Sequence, residues 1–204
     1  MNRLLAAVLV LGVAGGASAG EASGNHTGWY VGGALGAIDL DVDVGTGSAL
    51  EGSSPVIEAF GGYNFFDMFG VELSYASSTD SNSKRDLSSG FGSLQLTPKL
   101  IIPIADRFRL YAKAGLAVSV YILEDESLPS FADETMDWSG TGGVVGLGAE
   151  FSVTDMVNIR AAYDYSKVSM DPVDKTYYNG TTTVILDDID VTSSQLTVGA
   201  YVQF

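Results

Sequence analysis

The chain has 204 residues, of which 46% are hydrophobic and 17% charged, with 25 glycines, no cysteine and a net charge of −15. That length fits one domain or at most two. The acidity argues against nucleic acid, whose phosphates would be repelled, and the lack of cysteine excludes disulfides, thiolate metal sites and a lipid-attachment cysteine.

The chain opens with MNRLLAAVLVLGVAGGASAG. Arg3 gives a positive start, Leu4 to Gly16 form a short apolar run, and Ala17-Ser18-Ala19 is a small-x-small cleavage pattern. This is the pattern of a secretory signal peptide, and the run falls short of the ~20 residues a spanning helix needs. Residues 1–19 are therefore expected to be removed, leaving a mature domain over 20–204 that is exported from the cytoplasm.

Past that point the recurring signal is alternation with period two. GWYVGGALGAI places Trp29, Val31, Leu35 and Ala37 on one face. PVIEAFGGYNF does the same for Ile57, Ala59, Tyr63 and Phe65, and FGVELSYA for Phe69, Val71, Leu73 and Tyr75. SLQLTPKLIIPI follows with Leu94, Leu96, Leu100 and Ile102. Then come the runs beginning at Phe108, Val145 and Val157, and the terminal LTVGAYVQF with Leu196, Val198, Ala200, Val202 and Phe204 in phase. The pattern predicts eight strands.

Short turns are expected near 64–68, 105–107 and 154–156, and long polar loops over roughly 40–52, 77–90, 123–138 and 167–190. Asn179-Gly180 favours a type I′ hairpin, so the last two strands are expected to continue outward as a protruding ribbon.

Three features set the apolar face outward, as in a membrane barrel, rather than inward, as in a lipocalin. The opposite parity is rich in small residues such as Gly32, Gly36, Gly62, Ser74, Ser93 and Gly146, which suit the narrow interior of an eight-stranded barrel. Aromatics gather at the strand ends. Trp29, Tyr63, Phe65, Phe108 and Phe151 lie beside the short turns, and Tyr75, Phe91, Tyr121 and Tyr165 beside the long loops, as two interface belts. The alternation of short turns and long loops matches bacterial outer-membrane barrels, whose closed sheets satisfy every backbone hydrogen bond in lipid. The expected fold is an all-β, eight-stranded, antiparallel up-and-down transmembrane barrel with short periplasmic turns and four long extracellular loops.

The entry GWYVGGALGA and the exit LTVGAYVQF resemble those of the small outer-membrane barrels of Gram-negative bacteria, the type formed by the transmembrane domain of outer membrane protein A. The resemblance covers the mature chain. It implies a terminal assembly signal, here Phe204 with Val202 and Ala200, read by the barrel-assembly machinery. It also implies a Glu/Lys/Arg cluster filling the barrel. A peptidoglycan-binding domain, which some relatives carry after the barrel, is not expected beyond Phe204.

The inward parity carries Glu58, Glu72, Glu150 and Asp164 against Lys99, Arg109, Lys113 and Arg160, and charges confined in a narrow lumen are expected to pair. Catalysis is not expected. The resemblance implies that enzymes of this architecture use a histidine near the loop face, whereas His26, the one histidine, precedes the first strand; a lone histidine also leaves neither a Ser-His-Asp set nor a zinc pair. Asp39, Asp41 and Asp43 should share one side of an extended strand, but Val44 and Leu50 break the EF-hand frame. No metal or cofactor is assigned; the acids read as a solvated surface, with loose divalent-cation binding as the alternative.

The expected role is structural, combined with surface recognition in the manner of adhesins and opacity proteins. A narrow channel or a lateral conduit for small solutes is the rival. Expected partners are outer-membrane lipids and lipopolysaccharide, the assembly machinery, and a host or environmental surface ligand; nucleic acid is not expected, and the protein is expected to be a monomer.

Overall fold

The structure, a computed structural model, describes residues 27–43, 49–82, 87–125, 135–174, 176–178, 183–185 and 187–204. The cleavage region and His26 lie outside these residues. The strands are β1 Gly28–Asp43, β2 Ala49–Phe66, β3 Phe69–Asn82, β4 Leu87–Ala105, β5 Phe108–Asp125, β6 Thr135–Ser152, β7 Val157–Pro172, β8 Thr176–Tyr178, β9 Thr183–Ile185 and β10 Ile189–Gln203. Eight of them close into one barrel in the order β1-β10-β7-β6-β5-β4-β3-β2, every pairing antiparallel.

Alternation produces this closure because a period of two sends one residue set outward and the other inward along every strand. The burial of β7 alternates without a break from Val157 to Pro172. Trp29, Leu35, Ile57, Leu96, Leu116, Leu147, Leu196 and Val198 are all exposed. Their partners in the other phase are buried, including every ion of the predicted cluster.

One end carries tight connections: Asp67-Met68, Asp106-Arg107 and the bend at 153–156. In that bend the Thr154 hydroxyl accepts from the amides of Met156 and Val157 at 3.3 and 2.9 Å, so the side chain satisfies two backbone donors. The barrel closes where β1 pairs with β10, and the Phe204 amide donates to the Trp29 carbonyl at 2.9 Å.

At the other end the strands run further than expected. β1 reaches Asp43, β4 starts at Leu87 and β6 at Thr135, well inside segments read from sequence as loops. The predicted ribbon also differs. β8 and β9 form a separate two-stranded sheet rather than a continuation of β7 and β10. The break falls at Val173-Asp174 and Asp187-Asp188, which belong to no strand.

Candidate functional site

The interior is built in layers. On the turn side lies the ion cluster. Lys99 meets Glu150 at 3.0 Å and Glu72 at 3.8 Å, and Arg109 meets Glu150 at 3.4 Å. Lys113 lies 3.2 Å from Glu72 and 3.1 Å from Asp164; Arg160 lies 2.8 Å from Glu72 and 3.2 Å from Glu58. All eight ions named from sequence therefore join one network. Its links branch without forming a ring, and Glu72, 0% exposed, is the hub. Strand geometry explains the centre: Glu72 projects from β3 while its three cationic partners come from β4, β5 and β7.

Aromatic side chains that the sequence analysis did not pick out complete this layer. The Tyr30 hydroxyl donates to Glu72 at 2.9 Å. Arg109 donates to the Tyr201 oxygen at 2.8 Å and to Asn158 at 3.2 Å. The Arg160 guanidinium sits 3.6 Å from the Phe60 ring centroid, and the Lys99 ammonium 4.5 Å from that of Tyr30 and 5.0 Å from that of Tyr111. Ions over ring faces gain attraction that grows as water is excluded. The signal was present as Tyr30, Phe60, Tyr111 and Tyr201 in the inward phase. Two inward glycines make the room: a Cβ at Gly62 would run into the Tyr30 hydroxyl, and one at Gly148 into the Tyr111 ring.

A polar layer follows, including Gln95, Ser93, Ser119, Ser166, Ser193, Gln195 and Thr197, all buried. Towards the loop end the filling becomes apolar: Ile38, Val42, Val56, Phe91, Tyr121, Trp138, Val168, Met170, Ile189 and Val191 pack as one cluster. Phe91 and Tyr121, read from sequence as interface aromatics, thus point inward, whereas Tyr75 and Tyr165 are exposed as expected. The physical reason is that the two faces exchange character. Around the apolar filling the outer wall is Asp39, Asp41, Asp43, Ser53, Thr79, Ser139, Thr141, Lys167, Ser169 and Asp171, all exposed. On β1, β2, β3, β6 and β7 the wall is thus apolar-out on the turn side and polar-out on the loop side, whereas β5 keeps Val118 and Val120 exposed there.

The turn-side aromatics form a belt on the outer wall. Trp29, Phe65, Phe108 and Phe151 are exposed, and Tyr63 is half-buried. Trp29 meets Tyr63 edge-on at 5.1 Å between centroids, Tyr63 meets Phe65 at 5.0 Å, and Phe108 pairs with Phe151 across β5 and β6. Val202 and Phe204 end the same wall, next to Val31 and Trp29 of β1, with Ala200 beside Gly33. Among the described residues no group of His, Asp or Glu is arranged to hold a metal ion. At the loop-side rim, a cavity of about 250 Å³ lies among Asp43, Ser169, Met170, Asp171, Asp188, Ile189 and Asp190. Lys167 reaches Asp190 there at 3.1 Å.

A family model described as the outer membrane protein beta-barrel domain matches residues 5–204. The chain belongs to this family. Membership places this outer-membrane barrel in the bacterial outer membrane, and its exposed apolar band is the lipid-facing wall. A search of curated proteins gives no match. Among solved structures, the chain is similar to Neisserial surface protein A, with 17% identity, a TM-score of 0.62, and coverage of 89% of this chain and 98% of that one. It is also similar to OprG of Pseudomonas aeruginosa, with 16% identity, a TM-score of 0.55, and coverage of 89% and 98%. A third is Ail, the attachment invasion locus protein of Yersinia pestis, with 18% identity, a TM-score of 0.51, and coverage of 86% and 99%. At these identities the likeness establishes a shared fold.

Proposed function

We propose that this protein is a non-conducting, non-enzymatic outer-membrane barrel that stiffens the membrane and recognises ligands at its loop end, which faces outward from the cell. The observation that carries this reading is the double seal of the interior. A branched ion network fills the turn side and an apolar cluster fills the loop side. A charged lumen favours a plug and an apolar one a conduit. Both fillings are present, stacked one on the other, so an ion meets the apolar layer and an apolar solute meets the ions.

The exchange of faces supports the recognition half of the reading. Segments 38–43 and 166–172 have a polar outer wall and an apolar core of their own, as a water-exposed barrel does. At about 3.3 Å per residue and a tilt near 40°, they lift the loops roughly 15–20 Å above the apolar band. Attachment is in the name of Ail, which shares the fold. Ail has also been solved with the heparin analogue sucrose octasulfate. The acidic rim of this chain opposes a sulfated ligand, so its surface partner is of different chemistry.

Planar-bilayer recording of the refolded protein tests the reading. Closed traces are expected; a large, stable conductance would establish the channel instead. The terminal Phe204, Val202 and Ala200 serve as the assembly signal in this reading, because their alternating side chains form the lipid-facing edge that closes on β1.

A further inference from the structure

The β8–β9 hairpin is joined to the barrel by two short legs, and both are tied to consecutive residues of β6. The Val173 amide donates to the Asp137 carbonyl at 2.8 Å, which simply extends the β6–β7 ladder. The second tie is different. The Trp138 indole N–H donates to the Asp187 carbonyl at 3.2 Å. Asp187 leads into β10, and β10 is separated from β6 by β7 in the barrel order. The bond therefore joins two strands that are not neighbours, at the level of Pro172, where β7 ends. Trp138 itself points inward, 7% exposed, within the apolar cluster and 6.2 Å from the Tyr121 ring. A buried indole N–H needs an acceptor, and here its acceptor is backbone from the strap above it.

The geometry points to Trp138 as the positioning residue of the recognition end: it straps the Asp187–Asp188 leg across the barrel mouth and so holds the hairpin in one orientation. The functional meaning of this strap rests on the proposed recognition role. A ligand then meets a hairpin that is already ordered, which lowers the entropic cost of capture. Without the strap, a three-residue ribbon on two free legs would be marginal, as isolated two-stranded ribbons are in water.

The test uses the full-length protein refolded in lipid vesicles with the hairpin exposed. Trp138→Phe keeps an aromatic in the apolar cluster and removes the donor along with one ring of the indole. Asp187→Ala keeps the accepting carbonyl and removes only the charge. Loss of one hydrogen bond should raise the rate of proteinase K cleavage within 175–186 roughly two- to tenfold in Trp138→Phe. Asp187→Ala should cleave as the unaltered protein does. An unchanged rate in Trp138→Phe overturns the strap, as does an equal rise in both variants, because the side-chain charge would then be what holds the leg. If Trp138→Phe does not fold, a pair of variants decides. In Trp29→Phe, Trp138 is the sole tryptophan. Inserting two glycines between Asp188 and Ile189 moves the Asp187 carbonyl away from the indole, and should shift its emission to the red and increase iodide quenching. Identical spectra and quenching overturn the proposal. A measured conductance would sink the recognition role without touching these results.

Discussion

Replacing Glu72 with Gln is the most informative perturbation of the interior. Glu72 is the hub of a network of four acids and four bases. Neutralising it splits the network into three parts. Lys113 keeps Asp164, and Arg160 keeps Glu58, so these two parts stay balanced. Lys99 and Arg109 are left sharing Glu150, with one positive charge in excess. Removing one partner of a buried ion pair typically costs about 3–5 kcal/mol. Asp164 is a terminal branch, and Lys113 retains Glu72 when it is lost. Asp164→Asn should therefore cost less, about 1.5–3 kcal/mol, the range for a hydrogen bond to a charged group. The double variant Glu72→Gln/Lys99→Met removes the excess charge and should recover part of the loss. Urea unfolding in lipid vesicles, followed by heat-modifiable gel mobility, measures all three. If Asp164→Asn proves as costly as Glu72→Gln, or if the double variant is no more stable than Glu72→Gln alone, the hub model fails.

Three further predictions concern the wall and the rim. Deleting Phe204 should abolish the folded gel band and leave unassembled chain in the periplasm, whereas Phe204→Ala, which keeps the backbone hydrogen bond from the residue 204 amide to the Trp29 carbonyl, separates the side chain's part from that of closure; normal outer-membrane levels of both variants would remove the assembly role. Calcium and sodium at matched ionic strength should protect the loop end from protease equally, before and after Asp39, Asp41 and Asp43 are changed to Asn; calcium-specific protection lost in the variant would instead reveal a cation site. The Ser169 hydroxyl and Lys167 hold the Asp190 carboxyl below its usual range, and the bond to Asp190 raises Lys167. The contribution of Asp190 should be present above the ordinary carboxylate pKa and vanish as pH falls through its lowered value, while that of Lys167 should vanish as pH rises through its raised value. An NMR titration placing Asp190 at or above an ordinary aspartate would contradict this.

Much of the barrel was legible because period two is a geometric property of strands, and the inward charges share its phase. Trp29 through Ala37 and Leu196 through Phe204 gave their outward faces directly. What alternation conceals is which face is wet. In Ile38-Asp39-Leu40-Asp41-Val42-Asp43 the period persists but its sense reverses, since the apolar residues now occupy the inward phase. Read as a loop from residue 40 on, this stretch hid the upper end of β1, although its three aspartates were placed on one side of an extended strand. Phe91 and Tyr121 went astray for the same reason: an aromatic near a loop marks a membrane interface only if its phase is outward. Tyr30, Tyr111 and Tyr201 were legible by phase alone, but their roles depend on partners many strands away, such as Tyr201 to Arg109 across 92 residues. The strap of Trp138 lies beyond any periodic signal, because it joins a side chain to a backbone carbonyl across an intervening strand.

The exchange of faces along strands such as β1 and β7 also fixes how deep the barrel floats. A wall that stayed apolar to its rim could slide along the membrane normal as bilayer thickness changed. Here a downward slide would carry Asp39 and Lys167 into hydrocarbon, where a lysine on a lipid-facing wall costs up to about 2–4 kcal/mol at the midplane and an aspartate less. An upward slide would expose Trp29 and Phe65 to water. With both displacements opposed, the surrounding lipid has to yield instead, by thinning or thickening at the wall, at a fraction of a kcal/mol for each ångström of mismatch. The height of the loop end above the bilayer is then a constant of the sequence rather than of the membrane around it.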